Sequence, residues 1–404
     1  MTPQDVLHAH HATTTVTWRA LGHDLPLVTK TGVRGAPGLD PALAALAEAL
    51  GRDRAHLGGT PLLDATLSQG PLAALARAEG LSARVLVASA AARRAAIASG
   101  TLEADLVEGL AWDLAPASVD EAWWRPPGDR GNARIEAELR AWARALAPGG
   151  VVWAVWHKDE GGKHAERLAG ASFGSLEVVN RASGWRVVAL RDPLPGGPTV
   201  DPWRDWDGPD GPMRSLVGTH AGARLDPGTA VLLVALDAAR APQLAGARVL
   251  DLGCGTGVLT RRARERGARE VIAVDDDLAA VRSTRVVVGQ DPDAAAGGGE
   301  DRPVAAGHPP VSAAWSDLLA GAPDARAVDV VLMNPPFHVG RQVVGALSRA
   351  FVAAALTALR PGGRLLMVAN KALPYERDLA AWATWRDVTP ADAKGFKVLD
   401  ATAR

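Results

Sequence analysis

The stretch Arg248-Val-Leu-Asp-Leu-Gly-Cys-Gly-Thr-Gly257, followed by Val-Leu-Thr-Arg-Arg, decides the fold of the carboxy-terminal half. A short β-rich run, RVLDL, passes into a glycine-rich turn that opens a helical segment. Glycines 253, 255 and 257 let the chain turn tightly and bring its amides close to a ligand, and the following helix presents unpaired N–H groups. Working outward, residues 270–274 (EVIAV) read as a strand, Leu278–Val287 as a helix and Val328–Met333 (VDVVLM) as a strand. A long helix over 342–359 and a strand over 364–369, after Pro361-Gly362-Gly363, complete the series, and an apolar helical stretch over 230–239 precedes it. Strands alternating with helices and lacking hairpin turns predict a parallel, doubly wound α/β sheet. Ligands then bind beyond the carboxyl ends of its strands.

The loop chemistry selects the ligand. A dinucleotide calls for GxGxxG to seat a pyrophosphate, whereas these glycines follow GxGxG and start from an acid, Asp251. That pattern points to S-adenosylmethionine, with Asp251, Gly253, Cys254, Gly255 and Gly257 around its methionine end. At the end of the next strand Asp275, with Asp276 beside it, is placed to accept from both ribose hydroxyls. Trp315-Ser316-Asp317-Leu318 follows the third strand. Asp317 there fits the adenine amino group, with Ser316 or the backbone completing the edge, and the same two residues fit a helix N-cap equally well.

The segment Asn334-Pro335-Pro336-Phe337-His338 ends the strand VDVVLM. Two successive prolines lock the backbone and remove two donors, leaving carbonyls and the Asn334 side chain as acceptors facing one point. A planar amine gripped by two acceptors presents its nitrogen lone pair to a methyl donor, and Phe337 offers a face for stacking an extruded base. Asn334 to Phe337 are therefore the candidate catalytic residues, with Asn334 also beside the cofactor. The plain alternative is a turn that only ends a strand. His338 reads as a substrate-side hydrogen-bonding or packing residue, with a general base as the lesser alternative, because transfer to an exocyclic amine needs no strong base.

The chain has 404 residues, long for one core and suited to two, and 48% are hydrophobic without any run approaching the roughly 18 that span a bilayer. Residues 1–12 are polar and His-rich without a signal-peptide core, so a cytoplasmic location is expected. The single cysteine, Cys254, excludes an internal disulfide. The histidines are scattered without ligand spacing, and no metal is expected. Net charge of −1 argues against a broadly basic nucleic-acid coat and leaves room for a local basic face. Among the 13 tryptophans, Trp123, Trp124, Trp153 and Trp156 fall on strand-like segments and read as core anchors.

Residues 192–218 are crowded with Pro, Gly and Asp and are expected to hold neither a helix nor a central strand. Residues 291–310 read as a surface loop. The first half repeats the rhythm more faintly, with a strand over 83–88, a helix over 135–146 and a strand over 151–156. RALAPGGVVWAVWHK, ending at Lys158, matches TALRPGGRLLMVANK, ending at Lys371, and Trp124-Arg125-Pro126-Pro127 stands where Met333-Asn334-Pro335-Pro336 stands. An internal duplication accounts for this, as would two unrelated α/β domains sharing a common turn. Nothing before Gly150 reads like DLGCGTG. The expected division is a first domain over 1–195, a linker over 196–224 and a catalytic domain over 225–404.

With DLGCGTGVLT, MNPPFHVG, RPGGRLLMVANKALPYERDL and GFKVLDA in place, residues 225–401 resemble the ribosomal RNA guanine-N2 methyltransferases of the RsmC and RlmG type. Leu225-Asp226-Pro227-Gly228-Thr229, Leu373-Pro374-Tyr375 and Phe396-Lys397-Val398 match the same pattern. The resemblance implies two tandem Rossmann-like, class I methyltransferase domains, the first degenerate and serving RNA recognition or support. It implies that Asn334 to Phe337 hold a guanine, that Asp275 meets the ribose and Asp317 the adenine of the cofactor, and that Lys371, Tyr375 and Lys397 touch RNA or serve structure. Ribosomal RNA or the small ribosomal subunit is the implied partner, met by a monomer without a membrane. Guanine N2 of 23S rRNA, adenine N6, a protein glutamine, or a non-catalytic assembly role are the alternatives. A neutral charge and a Gly/Ala-rich insertion over 291–307 depart from the pattern.

Overall fold

The computed structural model describes residues 1–52, 61–195, 201–292, 310–322, 324–336, 338, 339, 342, 343 and 345–404, with backbone alone at 52, 338, 339, 342 and 343. It forms two compact units, Ala12–Pro202 and Met1–His11 together with Trp203–Arg404.

In the second of these units a seven-stranded sheet runs in the order Val311–Trp315, Glu270–Asp275, Arg248–Leu252, Val328–Met333, Leu359–Asn370, Phe396–Ala403, Ala383–Asp387. The first five strands are parallel, and Phe396–Ala403 lies antiparallel between its neighbours. Alternate residues of a strand face opposite sides, and helices cover both sides here. Leu250, Leu252, Ile272 and Val274 therefore pack toward the helix Gly345–Ala358. Val249, Val271, Val330 and Leu332 pack toward Pro227–Leu236 and Val258–Glu265. The predicted long helix starts later, at Gly345, after a small hairpin of His338–Val339 and Gln342–Val343. The strand expected over 364–369 extends through the Pro-Gly-Gly turn to Leu359–Asn370.

Ala12–Pro202 carries a second seven-stranded sheet, in the order Leu106–Glu108, Ala83–Val87, Leu62–Ala65, Val119–Trp124, Leu146–His157, Trp185–Pro193, Phe173–Ala182. Counted along the chain, both sheets read 3-2-1-4-5-7-6. Even an irregularity recurs: the register shifts between Val119 and Glu121 in one sheet and between Val328 and Val330 in the other. Trp124 pairs with Ala65 as Met333 pairs with Leu252, so Arg125-Pro126-Pro127 follows its strand as Asn334-Pro335-Pro336 follows its own. Trp123, Trp124, Trp153 and Trp156 are buried, and Trp123 stacks on Trp153 at 5.3 Å.

One expectation is met and one is corrected. Among the described residues, 192–218 hold no helix and no central strand but a separate two-stranded antiparallel hairpin, Trp203–Gly208 with Gly211–Leu216, in which the paired Trp206 and Met213 face the core. The amino-terminal helix Pro3–His11 belongs with the second unit, where Val6 and Leu7 join the core beside Gly345–Ala358 and Trp382 Nε1 donates to the Met1 carbonyl at 3.0 Å. The expected boundaries at 195 and 224 thus give way to transitions near 11 and 202. Residues 293–309, most of the expected surface loop, lie outside the described residues. Among the described residues no helix is long and apolar enough to cross a membrane.

Candidate active site

The strand Arg248–Leu252 delivers Asp251 to the carboxyl edge of the sheet, fully buried. Thr260 donates its hydroxyl to Asp251 Oδ2 at 2.6 Å, while Oδ1 has no hydrogen-bond partner. Burial pushes this carboxyl up to about 7 against the Thr260 hydrogen bond. Gly253, Gly255 and Gly257 all take positive φ, at 82°, 55° and 80°. Their amides serve differently from expectation. Gly253 N and Cys254 N donate back to the Val274 carbonyl, Gly257 N donates to Cys254 O, and Gly255 N donates to Asp275 Oδ2 at 2.9 Å. The glycines therefore supply conformation and clearance: a Cβ at 257 would meet Thr284 Cα at 3.0 Å, whereas one at 255 would enter open space.

Asp275 accepts from Gly255 N and, through Oδ1, from Asp277 N at 2.9 Å, so it ties the glycine loop to the next helix start. Asp277 caps that helix through Ala279 N. Asp276 is half-buried, and its carbonyl accepts from Trp315 Nε1 at 2.7 Å. Cys254 is buried beside Ala273, Val281 and Ala313, and burial with the nearby Asp275 and Asp251 holds its thiol well up and inert.

Asn334 leaves the strand Val328–Met333 half-buried, with Pro335 buried and Pro336 exposed. Its Nδ2 donates to Asp226 Oδ1 at 2.8 Å and to Thr229 Oγ1 at 3.0 Å. Asp226 was reached only as part of a matching pentapeptide. Its signal is Asp-Pro ahead of an apolar helix, an N-cap with proline at the first turn, and Asp226 Oδ1 does accept from Thr229 N at 2.8 Å. Burial would raise the Asp226 carboxyl, but hydrogen bonds from His220, Thr229 N and Asn334 outweigh it and hold it at about 2. An ionised carboxylate only accepts, so the atom facing it must be the Asn334 NH2, and the Asn334 carbonyl is left pointing the other way.

Other predicted residues fall elsewhere. Phe337 lies outside the described residues, and of His338 only the backbone is described. Ser316 starts no helix; its Oγ accepts from Gly321 N at 2.7 Å in a turn. The Asp317 carboxylate, expected at the adenine, faces His10 and His11 of the amino-terminal helix. Lys371 is exposed. Tyr375 is buried in the core below Gly345–Ala358, so it packs rather than presenting itself to RNA. Lys397, also buried, donates to Leu373 O and Glu376 Oε1 at 2.5 and 2.6 Å and pins the segment that carries Tyr375.

The first unit keeps the outline of this site and closes it. Asp64 holds the place of Asp251, pairing with Trp123 as Asp251 pairs with Leu332. Asp64-Ala-Thr-Leu-Ser-Gln-Gly70 is thus the counterpart of Asp251-Leu-Gly-Cys-Gly-Thr-Gly257, correcting the expectation that no trace of that loop precedes Gly150. Asp64 Oδ1 accepts from Thr66 N and Oγ1, and Oδ2 from Leu72 N and Ala73 N, so its own chain satisfies it. Arg125 stands in for Asn334 and donates to Asp40 Oδ2 at 3.3 Å, Asp40 lying in a Leu-Asp-Pro that parallels Leu225-Asp226-Pro227.

A 3-2-1-4-5-7-6 sheet with an acid-led glycine loop after its first strand, an acid after its second and Asn-Pro-Pro after its fourth defines a class I, S-adenosylmethionine-dependent methyltransferase. Residues 210–400 match the family model described as a methyltransferase small domain. A Pseudomonas aeruginosa ribosomal RNA small subunit methyltransferase C is 31% identical over 274 residues, 65% of this chain and 74% of that one. A Streptomyces avermitilis ribosomal RNA large subunit methyltransferase G is 35% identical over 195 residues, and there the chain spans only 46% of the relative's length. The solved structure of the T. thermophilus 16S rRNA N2 G1207 methyltransferase RsmC, in complex with AdoMet and guanosine, matches over 100% of both chains with a TM-score of 0.79 and 29% identity. The chain belongs to the RsmC-type family of ribosomal RNA methyltransferases.

Proposed function

We propose that this chain methylates the exocyclic N2 of a guanine in ribosomal RNA, with 16S rRNA of the small subunit as substrate, acting as a cytoplasmic monomer. The observation that carries the reading is the enforced polarity of Asn334. With its NH2 held by Asp226 and Thr229, its carbonyl oxygen is the acceptor offered to a planar amine. Transfer to an exocyclic amine needs no strong base beside it. Holding N2 by acceptors orients its lone pair, so positioning and exclusion of water supply the rate enhancement.

Bound S-adenosylmethionine supplies an electrophilic methyl group on a sulfonium. The residues fit it: the unpartnered Asp251 Oδ1 suits the methionine ammonium, and the open space at Gly255 leaves room beside it. Asp275 and Asp276 stand at the strand end that serves the ribose, and the 315–317 turn borders the adenine side. N2 would gain the methyl group as the sulfonium carbon–sulfur bond breaks to leave a neutral thioether, and its proton would pass to solvent with Asn334 unchanged. Pro335 and Pro336 keep the acceptor carbonyls in place, and Phe337 and His338 complete the substrate side. The first unit, with Asp64 satisfied internally, supports or recognises RNA without holding cofactor.

Methylation of 23S rRNA is the second reading, favoured by the 35% identity to the Streptomyces large-subunit enzyme. Incubation with 16S rRNA, 23S rRNA, assembled subunits and release factor, followed by mass spectrometry of nucleosides and peptides, tests both. N2-methylguanosine in 16S rRNA is expected; a methylated adenine or glutamine without it rejects the proposal.

A further inference from the structure

The helix Pro3–His11 ends in Leu7-His8-Ala9-His10-His11. Its last two imidazoles reach Asp317, in the turn after the strand Val311–Trp315. His10 Nε2 lies 2.9 Å from Asp317 Oδ1, and His11 Nδ1 lies 3.4 Å from Oδ2. The two rings stand edge to face, 4.9 Å apart and 77° inclined, so their nitrogens converge without stacking. One donor atom from each of the three residues falls within 4.8 Å of the others, and among the described residues no other group of this kind does so. We propose that His10, His11 and Asp317 bind a divalent transition-metal ion, with zinc as the best-matched ion.

Three donors each about 2.0–2.1 Å from a tetrahedral ion lie roughly 3.3–3.5 Å from one another, so only small rotations of these side chains are required. Two imidazoles and one carboxylate suit zinc, cobalt or nickel and disfavour calcium and magnesium, which demand more oxygens. Asp317 and His10 are each only 4% exposed. Two imidazole nitrogens and a carboxylate oxygen brought together at this depth form a donor set that one ion can bond at once. The carbonyl end of the helix favours a cation. Bound there, the ion clasps the amino-terminal helix to the third-strand turn, and a water completes its coordination. The donors are 307 residues apart in the chain, which is why spacing along the sequence gave no sign of them.

The test uses the full-length chain without an affinity tag, stripped with chelator and titrated with cobalt(II). Visible ligand-field bands of a four-coordinate ion should saturate at one equivalent and be displaced by zinc. His11→Ala and His10→Gln should each weaken cobalt binding at least about tenfold. His11 is the more exposed of the two, so its variant keeps the test open if His10→Gln fails to fold. Absence of the bands in the wild-type chain overturns the proposal, as does undiminished binding in a folded variant. Neither readout depends on methyl transfer, so the outcome is separable from the proposed activity.

Discussion

Asn334 and Asp226, 108 residues apart in sequence, stand 2.8 Å apart with the amide of one donating to the carboxylate of the other. Arg125 and Asp40 repeat the relationship in the first unit, with a cation where the amide would be. In both units an Asp-Pro segment meets a strand-ending X-Pro-Pro, and only Asn334 brings a side chain with both a donor and an acceptor. Under the proposed function Asp226 is a positioning residue, setting which face of its amide Asn334 offers.

Asp226→Asn removes the demand that Asn334 turn its NH2 inward. A hydrogen bond to a charged group contributes about 1.5–3 kcal/mol, so kcat should fall roughly 10- to 100-fold with little change in S-adenosylmethionine affinity. Steady-state kinetics with cofactor binding by calorimetry checks the split. An equal loss of cofactor affinity would point to local unfolding instead.

Asn334→Ala removes the acceptor itself. Turnover should drop by a factor of at least about 100, as for loss of a transition-state hydrogen-bond partner, while the cofactor still binds. Single-turnover methylation of RNA under saturating cofactor measures it.

Gly255→Val places a branched side chain in open space at a φ of 55°. The left-handed backbone costs about 1–2 kcal/mol of stability, and the chain should stay folded. Cofactor affinity should fall roughly tenfold or more, about 1.4 kcal/mol. Gly257→Val, whose Cβ would meet Thr284 Cα at 3.0 Å, should instead cost stability first. Thermal melts with and without cofactor distinguish the two.

The Asp251 carboxyl stands at about 7 in the cofactor-free fold, above its unfolded value of about 3.9. Its contribution to stability is complete below the unfolded value and is lost as pH rises through 7. An ammonium beside it favours the ionised form, so cofactor binding should release a proton and weaken as pH falls below 7. Calorimetry at mildly acidic pH in two buffers of different ionisation enthalpy reads that proton directly; equal heats would reject the assignment.

One cofactor per chain is expected, because Asp64 is satisfied by Thr66, Leu72 and Ala73. Arg125→Asn should leave this stoichiometry unchanged. A second equivalent in calorimetry would show that the first unit is not degenerate.

Much of the catalytic half was legible because its strands are apolar on both faces and its helices begin at glycine, Asp or Asp-Pro signals. Arg248–Leu252, Leu278–Val287 and Val328–Met333 appear where the sequence places them. The relic loop at Asp64 was missed because Thr66 and Ser68 replace the glycines that announce such a turn, although Gly70 keeps its left-handed φ of 73°. The partners of Asn334 and Asp317 were missed because pairings across 108 and 307 residues leave no periodicity to read. For Tyr375 the resemblance left an RNA contact and a structural role both open, and only the fold shows its ring taken into the core with Leu379.

The helix Pro3–His11 is synthesised well before its partner Asp317, 307 residues further along the chain. At synthesis rates of about 5–20 residues per second that is a delay of roughly 15 to 60 s, during which the sheet between Leu106–Glu108 and Phe173–Ala182 can assemble alone. The second unit is thus finished by a segment made before the whole of the first, and a fragment beginning at the hairpin Trp203–Gly208 would lack a piece of its own core however cleanly it were cut.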